Sequence, residues 1–418
     1  MKSFCGVERQ ATADEAHEKI LELIRLHKLE VSIVHVGSTI KTFQATMSDE
    51  NIKKQFIGCG KGIGIQSETS ALFEAFEHYI SYVTFRDETR AIRLQVAQNS
   101  GLKSLIDQQM LPKHFVEAVG GVDRTVPWIE LRSLYDDQVL YYPLFLVEPR
   151  YRESDKFGYD DSAFQNLSYL SNGSGCASGS TFDEAIVHAL NEAIERDATS
   201  LFLYNGFVRN NDVRIVDKTT VPGYLGDYLS IIENEYNDEL FIIDITSDIG
   251  VPCFCVTFSK YDAPIMPKGY GASLSATYAL ERALLESLQP IHLRNEALSR
   301  IEGNTLRRLN RYPLLARAAA ADINEVYGNE NYVVIDFDEV QDLYGGQSLA
   351  KQKEVILSLV SERGMNAYHH EVYKTSGYSL VKTMLSGSSP LCFLQVGKLI
   401  LPNTRVLDKR VSLIGQKA

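Results

Sequence analysis

Three predicted helices of this 418-residue chain carry the same spaced set of polar residues. In each set, a polar or basic residue is followed by Glu four positions later and by Glu or Gln three positions after that. The sets are Ser70/Glu74/Glu77, His188/Glu192/Glu195 and Arg282/Glu286/Gln289. An α-helix turns about 100° per residue, so offsets of 0, 4 and 7 lie within roughly 60° of arc. Each set therefore lines one face of its helix.

The three sets lie among Leu, Ile, Phe and Ala, so their carboxylates are expected at the margin of a hydrophobic core. Buried carboxylates are costly unless they are ion-paired, hydrogen-bonded or bound to a metal. A single E-x-x-E pattern is more typical of a solvated helix face, but three repeats with one spacing favour a shared site. The sequence thus predicts a site that binds cations.

A Gly/Ser-rich stretch precedes each helix, at residues 58–70, 171–181 and 267–277. We expect these stretches to be loops that run into the helix N-termini, whose free N–H groups and positive dipole end suit phosphate. None of them has the G-x-x-x-x-G-K-[ST] sequence or the G-x-G-x-x-G dinucleotide fingerprint after a strand. An anion bound here must be held in another way.

The composition excludes several classes of function. A net charge of −12 argues against non-specific binding to nucleic acid or to anionic membranes. The N-terminal sequence becomes an amphipathic helix instead of a signal peptide, and no apolar run approaches the ~20 residues that span a membrane. The six cysteines, without a secretion signal, are expected to be free thiols. We therefore expect a cytoplasmic protein with no nucleic-acid or membrane partner.

Helical and strand-like patterns follow one another along the chain without a linker or a low-complexity segment. They predict an α+β or α/β fold with mixed sheets, in a single catalytic unit over 1–418 with parts at 1–150, 151–300 and 301–418. Helices are predicted at 13–27, 67–82, 181–204, 223–235, 275–299 and 349–364, and strands at 31–37, 40–47, 127–133, 139–147, 240–246, 252–258, 332–337, 366–373, 378–385 and 391–397. The aromatic, turn-rich segment 148–170 is expected to be a mobile loop over a site.

The acids of the three sets suit Mg²⁺, which takes oxygen ligands and commonly shares them with substrate phosphates. The candidate ligands are Glu74, Glu77, Glu192, Glu195 and Glu286. They exceed the need of one ion, so two or three ions bridging a triphosphate are the natural assembly. Arg282, Arg196 and Lys61 would supply positive charge to phosphate. His188 contacts the nucleotide or is a satisfied core histidine, and Glu184 extends the same face by one turn.

The segments 60–79, 171–198 and 269–289, together with the late stretch 379–406, resemble the signatures of the YcaO family over most of the chain. The resemblance implies an atypical ATP- and Mg²⁺-binding fold in which three helices converge on one site without a Walker loop. It also implies phosphorylation of the oxygen of a peptide-bond amide, while or after a nucleophile adds to the amide carbon.

The resemblance also assigns residues. Ser70, with Glu74 and Glu77, matches the first ATP/Mg²⁺ helix; the second helix is matched by Ser180, Glu184, Glu192, Glu195 and Arg196, and the third by Arg282 and Glu286, the expected catalytic pair. Arg9, Lys61, His188 and Gln289 complete the expected cofactor contacts. Two departures stand out: Ser180 replaces the Asn of many members, and the chain ends RVSLIGQKA, without the Pro-rich terminus of azoline-forming members.

The resemblance leaves the nucleophile open. Attack by a Cys, Ser or Thr side chain gives an azoline, attack by sulfide gives a thioamide, and attack by an amine gives an amidine. Azoline formation and thioamide formation with a TfuA-type sulfur-delivering partner are nearly balanced. We expect a ribosomal precursor peptide as substrate, with a leader-binding or TfuA-type partner protein, and a homodimer is left open. A non-catalytic scaffold and a kinase or ligase acting on a small molecule are the alternatives of other classes.

Overall fold

The computed structural model describes residues 6–87, 90–148, 167–409, 411 and 413, so most of the predicted loop 148–170 lies outside the described residues. The helices are α1 Ala13–Leu26, α2 Ile65–Phe85, α3 Leu102–Asp107, α4 Phe115–Ala118, α5 Leu144–Val147, α6 Phe182–Phe207, α7 Gly223–Tyr236, α8 Ala276–His292, α9 Glu296–Leu309, α10 Pro313–Ala320, α11 Ile323–Gly328, α12 Leu349–Glu362 and α13 Thr404–Leu407. Within these ranges no helix is long and apolar enough to cross a membrane.

The strands are β1 Glu30–Val36, β2 Lys41–Asp49, β3 Lys54–Gly62, β4 Ile92–Gln95, β5 Thr125–Ser133, β6 Val139–Pro143, β7 Cys176–Gly179, β8 Val213–Val216, β9 Leu240–Asp244, β10 Cys253–Phe258, β11 Lys268–Ala272, β12 Tyr332–Ile335, β13 Ala367–Thr375 and β14 Tyr378–Leu385. They form three sheets, ordered β1-β2-β3, β4-β5-β13-β14-β7 with β6 beside β5, and β11-β10-β9-β8-β12. Strands β8 and β12 pair in parallel, and the other pairs are antiparallel. The predicted mixed α+β fold is confirmed.

The three helices with the repeated polar sets link these sheets. Helix α2 packs on β2 and β3 and also contacts β7 and β13, whereas α6 contacts β7, β14 and β11. Helix α8 packs on β10 and β11 and reaches β3 of the first sheet. Each helix thus touches more than one sheet, and this arrangement brings the three polar faces together.

The Gly/Ser-rich stretches differ from the predicted loops. Each stretch contains residues of a strand, β3, β7 or β11, and this strand is followed by a turn of a few residues and then by α2, α6 or α8. Thr181 caps α6 by accepting a hydrogen bond from the Glu184 N–H, and Ser275 caps α8 by accepting from the Tyr278 N–H. The repeated unit is therefore a strand, a tight turn and a helix packed back on that strand.

The glycines allow this close packing. A Cβ atom on Gly58 would lie 2.7 Å from the carbonyl carbon of Glu74, and one on Gly179 would lie 2.6 Å from the Ala185 nitrogen. On Gly271 it would lie 2.8 Å from the Ala283 nitrogen. The missing side chains let the helix backbones approach the strands, which explains the glycine content without a phosphate-binding loop.

Some predicted elements were wrong in type or length. The apolar run 391–397, predicted as a strand, is a 3₁₀ helix over Leu391–Val396, and strand 139–147 ends at Pro143, where α5 begins. The predicted helix 275–299 is two helices, because α8 ends at His292 and Asn295 caps α9 by accepting a hydrogen bond from the Leu298 N–H. Asn at a helix N-terminus satisfies a free N–H group and so favours a new start.

Candidate active site

The polar faces of α2, α6 and α8 line one cavity of about 840 Å³. All of the predicted site residues except Ser180 line it: Arg9, Lys61, Ser70, Glu74, Glu77, Glu184, His188, Glu192, Glu195, Arg196, Arg282, Glu286 and Gln289. Ser180 is joined to this lining by the hydrogen bond that it donates to Glu184 Oε2. The structure thus brings together residues that are far apart in the chain, while their individual roles stay predictions.

The acids on α2 are held by strands of two different sheets. Glu74 Oε2 accepts a hydrogen bond from the Cys59 backbone N–H of β3 at 3.0 Å, and Glu77 Oε2 accepts one from Ser178 Oγ of β7 at 2.9 Å. Burial and the negative charges of Glu192 and Glu74 raise the pKa of Glu77 well above its usual value. Negative charge from α2 and α6 therefore meets in this part of the cavity.

The acids on α6 share one guanidinium. Arg196 lies 3.8 Å from Glu192 Oε1 and 3.9 Å from Glu195 Oε1. Burial raises the pKa of Glu192, and burial together with the charge of Glu286 raises the pKa of Glu195 to about 7. A bound cation would relieve this crowding of carboxylates.

Lys61 and Arg282 bring positive charge to the α8 side of the cavity. Lys61 Nζ donates a hydrogen bond to Gln289 Oε1 at 2.6 Å and lies 3.8 Å from Glu286 Oε2. Arg282 lies between two carboxylates, 4.0 Å from Glu195 Oε2 and 3.8 Å from Glu8 Oε2. On this side of the cavity, each cation therefore lies within 4.0 Å of at least one acid.

Arg9 joins the predicted nucleotide contacts into one cluster. Its Nη1 lies 3.0 Å from Glu184 Oε1, and the Gln10 backbone N–H donates to Glu184 Oε2 at 3.1 Å. Burial and the charges of Arg282 and Arg9 lower the pKa of His188 well below its usual value, so this imidazole is neutral at pH 7. Its Nδ1 is buried and has no hydrogen-bond partner among the described residues.

The sequence analysis missed several residues that line the cavity. Glu8 is the main one, and its only sequence signal is its position next to Arg9. The apolar residues that line the cavity were also missed: Phe73, Leu285, Leu293, Leu298, Phe393 and Val396. No periodic pattern connects them, because they come from separate helices and from the 3₁₀ segment.

The donor set fits magnesium that is shared with phosphate. In the part of the chain that the structure describes, no three His, Cys, Asp or Glu side chains enclose a metal by themselves. Mg²⁺ usually takes one or two carboxylates and fills its octahedron with phosphate oxygens and water. Glu195 Oε2 is buried and accepts no hydrogen bond from the part of the chain that the structure describes, so it has a lone pair to offer to such an ion.

Residues 59–389 match a family model described as YcaO cyclodehydratase, ATP- and Mg²⁺-binding. The chain belongs to the YcaO family. The family predicted from the three motif segments is thus confirmed, and so are ATP and Mg²⁺ as the cofactors of the family. The matched range includes the three motif helices and leaves Glu8 and Arg9 outside it.

Two relatives match this chain in sequence. An uncharacterized protein of Methanothermobacter thermautotrophicus is 27% identical over 79% of this YcaO chain and 81% of its own length. Another, described as an uncharacterized protein in the tfuA 3′ region of Rhizobium leguminosarum bv. trifolii, is 28% identical over 47% of this chain and 43% of its own.

Two solved structures share the fold. The YcaO protein from Methanopyrus kandleri, bound with AMPPCP and Mg²⁺, superposes with a TM-score of 0.64 at 20% identity, over 95% of this chain and 97% of that one. A heterocyclase in complex with substrate and cofactor superposes with a TM-score of 0.65 at 18% identity. This alignment covers 91% of the present chain and 53% of the heterocyclase, so the chain spans about half of that enzyme.

Proposed function

We propose that this YcaO protein uses ATP and Mg²⁺ to phosphorylate the oxygen of a backbone amide in a ribosomally made precursor peptide. The observation that carries the proposal is the cavity in which acids from three helices, with raised pKa values on α2 and α6, surround Arg196, Arg282 and Lys61. Crowded carboxylates beside fixed cations fit a metal-bound triphosphate better than a neutral ligand.

The roles of the side chains follow from their charge. We assign two or three Mg²⁺ ions, shared with the phosphates, to Glu74, Glu77, Glu192, Glu195 and Glu286. We assign the remaining nucleotide contacts to Arg9, Lys61, Ser70, Ser180, Glu184, His188, Arg196 and Gln289. Arg282 and Glu286 lie on adjacent turns of α8 and are the proposed catalytic pair. When bound, ATP supplies the phosphoryl group that makes the amide oxygen a leaving group. The protein contributes mainly position and charge.

The cavity also offers a surface for a peptide. Phe393 and Val396 of the 3₁₀ segment line it together with Leu298 of α9, and Val396 is 62% exposed. These side chains give one part of the cavity an apolar lining. The acids of α2, α6 and α8 give another part a charged lining. We assign the charged part to the nucleotide and the apolar part to the residues that flank the modified amide.

Our first candidate product is an azoline. A Cys, Ser or Thr side chain of the substrate adds to the amide carbon, and the amide oxygen then leaves as phosphate. The peptide loses one water per site, and ATP becomes ADP and phosphate. The fold shared with a heterocyclase in complex with its substrate supports this candidate.

The second candidate product is a thioamide, favoured by the relative whose gene region contains tfuA. In this reaction sulfide adds to the amide carbon, the amide oxygen leaves as phosphate, and the product has sulfur in place of oxygen. A TfuA-type partner would then deliver the sulfur, whereas a leader-binding partner would serve the azoline reaction. Amidine formation and a homodimer stay predictions. A non-catalytic scaffold is disfavoured, because every expected site acid is present and lines the cavity.

The test is to co-express the chain with a precursor peptide encoded nearby, with and without a TfuA-type partner, and to measure the peptide mass. Loss of water means an azoline, and exchange of oxygen for sulfur means a thioamide. Release of ADP and phosphate is measured in parallel for Glu192→Ala and for Glu354→Ala, an exposed control on α12. Peptide-independent turnover that survives Glu192→Ala would contradict the proposed site.

A further inference from the structure

The guanidinium of Arg282 is held between two buried carboxylates. Glu195, 2% exposed, faces it from α6, and Glu8, 4% exposed, faces it from the N-terminal segment. Arg282 Nη1 also donates to the Ala272 carbonyl at 3.3 Å. Burial by itself would lower the pKa of Arg282. The charges of Glu195 and Glu8 outweigh this effect and raise the pKa, so the guanidinium stays charged.

Glu8 is held by hydrogen bonds from α6 and from the turn that precedes α8. Its Oε1 accepts a hydrogen bond from Asn191 Nδ2 of α6 at 2.8 Å and another from Ser273 Oγ in the turn before α8. The segment around it is anchored as well, because Gln352 Nε2 of α12 donates to the Val7 carbonyl at 2.7 Å. Only Oε2 is left to face Arg282.

The two carboxylates differ in what they do when the site is filled. In the proposed function Glu195 is a ligand of Mg²⁺, so its charge is shared with the metal. Glu8 takes its hydrogen bonds from Asn191 and Ser273, neither of which is assigned to Mg²⁺, and its second oxygen lies 3.8 Å from Arg282. Burial raises the pKa of Glu8, whereas the charges of Arg282 and Arg9 favour its carboxylate form. Without the Glu8 carboxylate, the Arg282 guanidinium would be drawn toward the remaining acids and away from the phosphates.

We propose that Glu8 is a positioning residue that holds the Arg282 guanidinium toward the bound nucleotide and fixes α6 and α8 relative to each other. The inference rests on the proposed function, since it takes the ligand of Arg282 to be a nucleotide. It adds a residue outside the range that the family model matches.

The experiment measures the affinity for Mg²⁺ with AMPPCP by calorimetry, in the full chain. Glu8→Gln keeps the size of the side chain and removes its charge, and we expect binding to weaken about 10- to 100-fold. Glu302→Gln is the matched control, because Glu302 is a buried carboxylate paired with Arg294 at 3.0 Å and does not line the cavity. It is expected to bind as the wild type does.

A double-mutant cycle separates positioning from a merely structural role. If Glu8 acts through Arg282, Glu8→Gln costs little further affinity once Arg282→Ala is present. Equal losses in both backgrounds, or no loss in the wild-type background, would overturn the inference. If Glu8→Gln melts too low to measure, Glu8→Asp enters the same cycle, with its charge kept and its reach shortened.

The outcome also distinguishes this inference from the proposed function. If the wild type does not bind Mg²⁺ with AMPPCP, the nucleotide site itself is wrong and the inference falls with it. If the wild type binds, Arg282→Ala binds measurably more weakly and Glu8→Gln binds as tightly as the wild type, the inference alone fails. In the active enzyme, Glu8→Gln is expected to raise the KM for ATP and to leave the KM for peptide unchanged.

Discussion

Lys61 of β3 donates a hydrogen bond to Gln289 of α8 at 2.6 Å, although the two residues are 228 positions apart. The same ammonium lies 3.8 Å from Glu286, a residue assigned to the catalytic pair. Both side chains of this ion pair are only about a quarter exposed, at 24% and 27%. The contact ties the first sheet to the third motif helix and places a cation inside the cavity.

Lys61→Met is therefore expected to lower kcat/KM for ATP by about 10- to 100-fold. It keeps the length of the side chain but removes a charged hydrogen-bond donor, worth about 1.5–3 kcal/mol. Lys41→Met, on the neighbouring strand and outside the cavity lining, is the control and should change little. Steady-state ADP release checks both, and equal effects of the two variants would contradict the role of Lys61.

Glu195→Gln is expected to stabilise the metal-free protein at pH 8. The folded-state pKa of Glu195 is raised to about 7 from 4.5, so the folded protein holds this proton more tightly than the unfolded chain does. Stability is therefore lost as the pH rises through the window from 4.5 to about 7, by about 1–3 kcal/mol, and the Gln variant avoids this loss. Urea unfolding in EDTA at pH 5 and pH 8 measures the difference.

With Mg²⁺ and nucleotide bound, the wild type is expected to be more stable than Glu195→Gln. Saturating Mg²⁺ with AMPPCP stabilises a protein by about 2.7 kcal/mol at 100 times its Kd. We expect this gain in the wild type and its loss in Glu195→Gln, because the variant lacks one metal ligand. Glu354→Gln, an exposed residue of α12, should follow the wild type in both conditions. If Glu195→Gln is less stable than the wild type at pH 8 in EDTA, the claim that repulsion and burial destabilise the Glu195 carboxylate is wrong.

Arg405→Met is expected to cost about 3–5 kcal/mol of unfolding free energy. Arg405 Nε donates to both oxygens of Asp197, at 2.8 and 2.6 Å, and the Asp197 side chain on α6 is fully buried. The variant leaves that carboxylate without its cation. Lys351→Met is the control, because Lys351 is 61% exposed and pairs with the exposed Glu354 on α12, so about 1 kcal/mol or less is expected. Urea midpoints compare the two variants.

Gly271→Ala is expected to push α8 away from β11. The new methyl group would lie 2.8 Å from the Ala283 nitrogen and 2.9 Å from Arg282 Cβ, so stability should fall by about 1–3 kcal/mol and nucleotide affinity should fall with it. Gly303→Ala on α9 faces open space and should gain about 0.4–1 kcal/mol. Thermal melting and calorimetry check the pair. Normal nucleotide binding by Gly271→Ala would show that the close approach is not needed.

The parts of the fold that depend on local periodicity were predicted well. Helices α6 and α12 and strands β9, β10 and β14 lie close to their predicted positions, since alternation and helical spacing are properties of adjacent residues. The Gly/Ser stretches were misread as loops, because glycine in a strand is justified only by the helix that packs against it. The run 391–397 lacked any signal to distinguish a strand from a 3₁₀ helix.

The sequence by itself determined which acids share a helix face, because the spacing of Glu192 and Glu195 along a helix has one geometric outcome. It also identified the family through three motif segments. Only the tertiary structure decided that Lys61 reaches Gln289 and that Glu8 lies 3.8 Å from Arg282. It also decided that burial, with the charge of Glu286, raises the pKa of Glu195 to about 7. Distances between helices and the burial of charge depend on packing among residues that are remote in the chain, and no local pattern encodes them.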